Sequence, residues 1–188
     1  NSMTKVAAVT GATVTEFSML TSEAKRLGST TQFTAKQVSD LQLVLGRKGF
    51  DPSAIEDMTG SILDLALATG EDLSLAAEVV AANINAFNLE ANDAADVANT
   101  LASAASDSSI QLDTFATAFG HAGASAHAVG VSIEDLSAML GVLMDNGIKA
   151  SKAGTGLRKI FMKLNETGIK FSDVIAEAAE QEMTLNRA

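Results

Sequence analysis

The sequence predicts an all-α protein: about eight to nine short antiparallel helices in a single Ala-rich domain. Three observations predict it. The chain is 47% hydrophobic but only 4% aromatic, with no Trp and no Tyr, so alanine and aliphatic residues must fill the interior. Ala and Leu are the residues that helices accept most readily. Proline occurs once, at Pro52, so almost nothing interrupts helix propagation. Apolar residues also recur three and four apart along most of the chain, which is the spacing of one helix face.

The elements follow from caps and stops. Residues 13–27 form a first helix with Phe17, Leu20, Ala24 and Leu27 on one face and Gly28 as its stop. Thr34 caps a second through Val38, Leu41, Val44 and Leu45, ending at Gly49. Asp51-Pro52 opens the third, a capping carboxylate followed by proline where its missing N–H costs nothing. Ile55, Met58, Ile62, Leu65 and Ala66 line that helix, and Gly70 ends it. Asp72 caps the fourth, through Leu75, Val79, Ala82, Ala86 and Phe87. Asn92 or Asp93 starts the fifth, through Val97 and Leu101, and Asp107-Ser108-Ser109 reads as a loop. Asp113 caps the sixth, with Phe115 and Phe119; Gly120 and Gly123 weaken its second half. Ser132 caps the seventh, with Asp135 as a near capping box, and Ile133, Leu136, Leu140 and Leu143 share its face. Asn146-Gly147 stops it, because both residues tolerate the left-handed conformation that ends helices. Ser151 caps the eighth, which carries Gly154 and Gly156 in its first turns, then Leu157, Ile160, Phe161 and Leu164. Two early glycines make sense if another backbone lies close there. Ser172 caps the ninth, through Val174, Ile175 and Ala178.

Asn1-Ser2 ahead of Met3 reads as a remnant of expression, so residues 1–3 are set outside the fold. Residues 4–33 are then an N-terminal helix and lead-in, 34–170 a helical core, and 171–188 a C-terminal helix leading into a longer chain. A weak period is visible: Gly49-Phe50-Asp51 and Gly130-Val131-Ser132 each place a glycine, an apolar residue and a cap before a helix, and Asn88-Leu89-Glu90 sits between them in a similar setting. That spacing of about 40 fits helix-pair repeats, although any chain of evenly sized helices looks similar.

Charge restricts the partners. The net charge is −10, and residues 50–145 hold fifteen Asp or Glu and no Lys or Arg. A nucleic-acid surface needs clustered cations to displace phosphate counterions, which excludes binding through this middle. Residues 1–49 hold six Lys or Arg and three Asp or Glu, and residues 146–188 hold seven and five, so the acidic middle reads either as a solvated face of a helical domain or as a complement to the basic ends, within or between copies.

Sites of chemistry are not legible. His121 and His127 are six apart and share no helix face, and no HExxH occurs. The carboxylate pairs Glu56-Asp57, Glu71-Asp72 and Glu134-Asp135 fall at helix N-terminal turns, where they complement the dipole. Residues 6–10, Val-Ala-Ala-Val-Thr, leave room for a short strand entering Gly11-Ala12-Thr13, but neither a dinucleotide fingerprint nor P-loop spacing follows. There are no cysteines. No catalytic, cofactor or metal residues are assigned, and no enzyme activity is expected. Gly147, Gly154, Gly156 and Arg158 are instead the candidates for assembly or packing contacts. No stretch reaches the length of a membrane span; the nearest, 73–91, contains Glu78, Glu90 and three Asn.

Several segments, in order, carry a resemblance. They are Ala24-Lys25-Arg26-Leu27-Gly28 with Thr31-Gln32-Phe33-Thr34-Ala35, Gly49-Phe50, Phe87-Asn88-Leu89-Glu90 running to Ala98, and Gly130-Val131-Ser132-Ile133-Glu134-Asp135. The last is Asn146-Gly147-Ile148-Lys149-Ala150-Ser151-Lys152-Ala153-Gly154-Thr155-Gly156-Leu157-Arg158. Over residues 24–165 or so the chain resembles the core domain of phage tail tape measure proteins. Gly46-Arg47-Lys48 departs from a more apolar lead-in, and His121-Ala122-Gly123 stands where family members often carry Gly-Pro.

The resemblance implies a structural virion protein of a phage or prophage, made in the bacterial cytoplasm and housed inside the tail tube. It implies a role in setting tail length during assembly and departure through the tip during DNA delivery. The implied partners are tail tube and tip proteins, assembly chaperones and further copies of itself, with membrane contact confined to delivery and no cofactor or metal. The implied full chains are far longer and mostly extended helix. Two other readings stand beside it: a helical adaptor binding a partner protein in a groove, and a membrane-active module exposed during delivery.

Overall fold

The structure, a computed structural model, describes residues 2–107 and 111–185. Among these residues there are ten α-helices, one 3-10 turn and no strand, so the class is all-α. The helices are α1 (Ser2–Thr10), α2 (Val14–Thr30), α3 (Ala35–Arg47), α4 (Pro52–Thr69), α5 (Leu73–Phe87), α6 (Ala94–Asp107), α7 (Leu112–Ala128), α8 (Ile133–Asp145), α9 (Ala150–Thr167) and α10 (Phe171–Leu185). The chain divides into two compact units, Asn1–Ser106 and Asp107–Ala188, where sequence reading places one core over 34–170. Hydrophobic spacing marks the face a helix buries but not which other helix covers it, so a division inside a run of similar helices leaves no signal.

In the first unit α3 is the central helix, packed against α1, α2, α4 and α5. Its burial shows this position: Val38, Leu41 and Leu45 are covered, and so are Ser39, Gln42, Leu43 and Gly46. A helix that buries more than one stripe lies inside the core rather than along its edge. Helices α2 to α5 begin on side-chain caps. Thr34 accepts from the Gln37 N–H while Gln37 returns to the Thr34 N–H at 2.9 Å, Asp51 accepts from Ala54 at 2.9 Å, and Asp72 accepts from Ser74 at 2.8 Å. Thr13 and Glu16 form a second capping box.

Residues 2–10 are a helix rather than a strand. Met3 and Val6, three apart, are buried, and the Ser2 hydroxyl donates to Asp40 of α3. Ser2 and Met3 therefore belong to the fold. Gly28 does not stop its helix. A Cβ there would collide with the Ala35 backbone, so its missing side chain lets the last turn of α2 lie against the start of α3.

Other starts and stops also differ from expectation. A 3-10 turn, Ala91–Asp93, precedes α6, and Asp93 accepts from the Glu90 N–H at 2.9 Å instead of capping α6. Of the expected 107–109 loop, Asp107 closes α6 and 108–109 lie outside the described residues. α7 begins at Leu112 on Gln111, which supplies no side-chain cap; Asp113 lies within its first turn. That helix runs unbroken through Gly120 and His121-Ala122-Gly123, where the absence of proline leaves every N–H available. α9 begins one residue before Ser151, on Lys149, and α10 begins at Phe171 rather than after Ser172.

The weak period has a structural source. Gly49, Asn88 and Gly130 are left-handed, and the following N–H of Phe50, Leu89 or Val131 bonds to a carbonyl five residues back, at 3.3, 2.9 and 3.0 Å. Gly147-Ile148 and Gly168-Ile169 close α8 and α9 the same way, both at 3.1 Å. What recurs is one helix ending.

In the first unit, Glu23 of α2 is half-buried against Gln42 of α3. The Gln42 amide is fully buried; its Nε2 donates to the Leu20 carbonyl and to Glu23, both at 3.2 Å, and its Oε1 has no partner. Burial, then repulsion from Glu56, pushes the Glu23 carboxyl up to about 7, against the opposing pull of Gln42 and Arg26. A carboxyl raised in the fold contributes stability that is complete below its ordinary value of 4.5 and is lost as pH rises through about 7. Glu23→Gln removes this loss. Urea unfolding should find the variant more stable than the parent by about 1 kcal/mol above pH 7, after discounting for partial exposure, with the gap closing below pH 4.5. Equal stability in alkaline solution would refute the assignment.

Candidate functional site

The second unit is built on the contact between α7 and α9, with α8 against both. α7 contributes Leu112, Phe115, Ala118, Phe119, Ala122, Gly123 and Ala126; α9 contributes Ala153, Gly154, Leu157 and Phe161. Most of these are small, which draws the two backbones together.

The four candidate contact residues fall within one stretch but take different parts. Gly147 has φ +83° and forms the turn after α8. Gly154 is buried against α7: a Cβ there would overlap the Ala118 carbonyl oxygen and stand 3.0 Å from both the Ala118 Cα and the His121 Cβ. Gly156 faces open space, with nothing within 4 Å of where a Cβ would stand, and Arg158 is exposed. Residues two apart on a helix point to different faces. Of the two glycines expected to meet another backbone, Gly154 meets one within this chain and Gly156 does not. Ala118, the backbone that Gly154 touches, carries no sequence signal, because one buried alanine among many looks like any other.

Around this stretch the surface is basic. Residues 146–170 carry six Lys or Arg against one Glu, and all six cations are exposed. Lys163 pairs with Glu166 at 3.2 Å, an exposed pair that holds little. An open cleft of about 490 Å³ lies beside it, lined by Gly147, Ile148, Lys149 and Ala150 with Gln111, Thr114 and Met144. Among the described residues no cluster of three His, Cys, Asp or Glu is placed to hold a metal, and no helix is long and apolar enough to cross a membrane.

Comparison with known proteins decides the family. Residues 21–185 match the family described as phage-related minor tail protein. The chain belongs to that family. The match runs from within α2 to the end of α10, so both units lie largely inside it. The chain is also similar to the tape measure protein of Pneumococcus phage Dp-1, 36% identical over 91% of this chain and 16% of that protein. It is similar to the probable tape measure protein of Escherichia phage P2, 30% identical over 86% of this chain and 20% of that protein. The chain thus spans a fifth or less of these relatives. No solved structure matches it. Membership places the chain among phage tail structural proteins.

The two glycines of α9 should respond in opposite ways. Gly154→Ala forces a methyl group into the α7 backbone and should cost about 1–3 kcal/mol in thermal or urea unfolding. Gly156→Ala adds a methyl group in open space on a helix and should raise stability by about 1 kcal/mol. Similar effects from both substitutions would overturn this packing.

Proposed function

We propose that this chain is the folded core of a tape measure protein: it is carried inside the tail tube and acts, within a longer chain, in setting tail length. The carrying observation is the pairing of two coverages. Two tape measure proteins match nearly all of this chain, yet it accounts for only 16% and 20% of their lengths. The greater part of those relatives lies outside the matched stretch.

The architecture supports assigning measurement to the remaining length. The longest helices here, α4 and α9, have 18 residues, or about 27 Å at the helical rise. A left-handed residue follows most helices, the conformation that ends a helix. A ruler needs extended length, whereas this module provides shape and contact. The tube interior, the tube and tip partners and the absence of a hydrolytic role belong to the same proposal.

The test is mass spectrometry on tail particles purified from an induced culture of the bacterium that encodes the chain. Trypsin is unsuitable, because no Lys or Arg lies between Lys48 and Lys149; cleavage at Asp and Glu samples the middle. Peptides from this module should appear at a few copies per particle, on a chain several times longer than 188 residues. Particles without these peptides, with the chain abundant in the lysate, would favour an adaptor acting during assembly alone.

A further inference from the structure

Large exposed hydrophobic side chains concentrate in the second unit. Of ten among the described residues, seven lie there: Val142, Ile148, Ile160, Met162, Ile169, Val174 and Ile175. Two helices carry four of these, and their charges are opposite.

On α9, the outward face holds Lys152, Gly156, Lys159, Ile160 and Lys163, which fall together at helical spacing. Ile160 is 55% exposed, and Gly156 leaves a notch one turn before it. A glycine within a helix costs about 1 kcal/mol, and no neighbour in this chain approaches Gly156. Lys152, Lys159 and Lys163 thus form a line along this face, with Gly156 and Ile160 beside it on one side.

On α10, Phe171 is held by its own unit. Its ring meets Phe161 edge-on at 6.2 Å, and its N–H donates to the Val129 carbonyl at 3.2 Å. Beyond it, residues 172–180 are all exposed, including Val174 (37%), Ile175 (53%) and Ala178. These share a face, with Asp173 and Glu177 along one side, and α10 has no Lys or Arg. A helix of about 15 residues whose apolar side is left exposed is marginal in water.

We propose that α10 of one copy of this chain docks on the α9 face of a second copy, Val174 and Ile175 covering Gly156 and Ile160 while Asp173 and Glu177 meet Lys159 and Lys163. Charge selects this pairing. Two α9 faces would bring lysines together and two α10 faces would bring carboxylates together, whereas the α9–α10 combination joins opposites. Each copy offers one of each helix, so a two-fold arrangement satisfies both sites at once. The anchored Phe171 holds the start of α10 at the turn after α7, so its later apolar residues are left for another chain. The proposal stands independently of the tape measure reading.

The test is sedimentation equilibrium of the 188-residue chain across a concentration series. The parent should form a two-copy species that loosens with added salt. Ile160→Glu should weaken association on the order of tenfold or more, with unchanged helical circular dichroism because the site is on the surface. The double variant K159E/K163E and the double variant D173K/E177K should each be monomeric alone, since each gives both of its helices the same charge. Mixed, they should restore the two-copy species, because each then presents the charge the other lacks. A parent that stays monomeric at every concentration overturns the proposal. So does association that is indifferent to the charge variants, or variants that fail to pair when mixed.

Discussion

In the second unit, the α7 and α9 backbones meet at Gly154, which leaves no room for even one added carbon against the Ala118 carbonyl. The rest of that unit depends on this approach. A chain with 4% aromatic residues has few large side chains to bridge widely spaced helices. Interiors must still be filled to the density of an organic solid, so the helices themselves have to come close. The first unit reaches the same solution where Gly28 of α2 lies against Ala35 of α3. In both places the glycine's conformational cost is offset by the contact area that its missing side chain opens.

Close packing also accounts for the way the helices end. Backbones that lie together must be turned sharply between helices. The left-handed residue followed by an apolar one performs that turn after α3, α5, α7, α8 and α9. The apolar residue that follows is not used in the same way each time. Val131 is buried after α7, whereas Ile148 and Ile169 are exposed after α8 and α9. The same local device thus leaves one unit with more uncovered apolar surface than local structure requires.

The two units differ in their electrostatics. The first unit tolerates a half-buried carboxyl, Glu23, beside an amide whose oxygen has no partner. The second gathers its cations on and around α9, outside the contact that holds α7 and α9 together. A phage tail protein acts by assembling with other chains, and surfaces of packing and charge serve that work. The family match and the tape measure relatives are consistent with this arrangement.

The sequence by itself determined the helical class, most helix boundaries and the caps at Thr34, Asp51, Asp72 and Ser132, because these depend on residues within one or two turns. It also carried the family, through ordered segments from Ala24 to Arg158. Caps assigned to Asp113, Ser151 and Ser172 followed the same local rules, but these residues lie inside the first turns of α7, α9 and α10; the stop assigned to Gly28 gave way to the close approach of the Ala35 backbone. Only the tertiary structure decided that the chain forms two units, that Gly154 faces inward while Gly156 faces out, and that Glu23 meets Gln42. Each of these joins residues distant along the chain. Helical periodicity states which face of a helix is buried but carries no label for its partner.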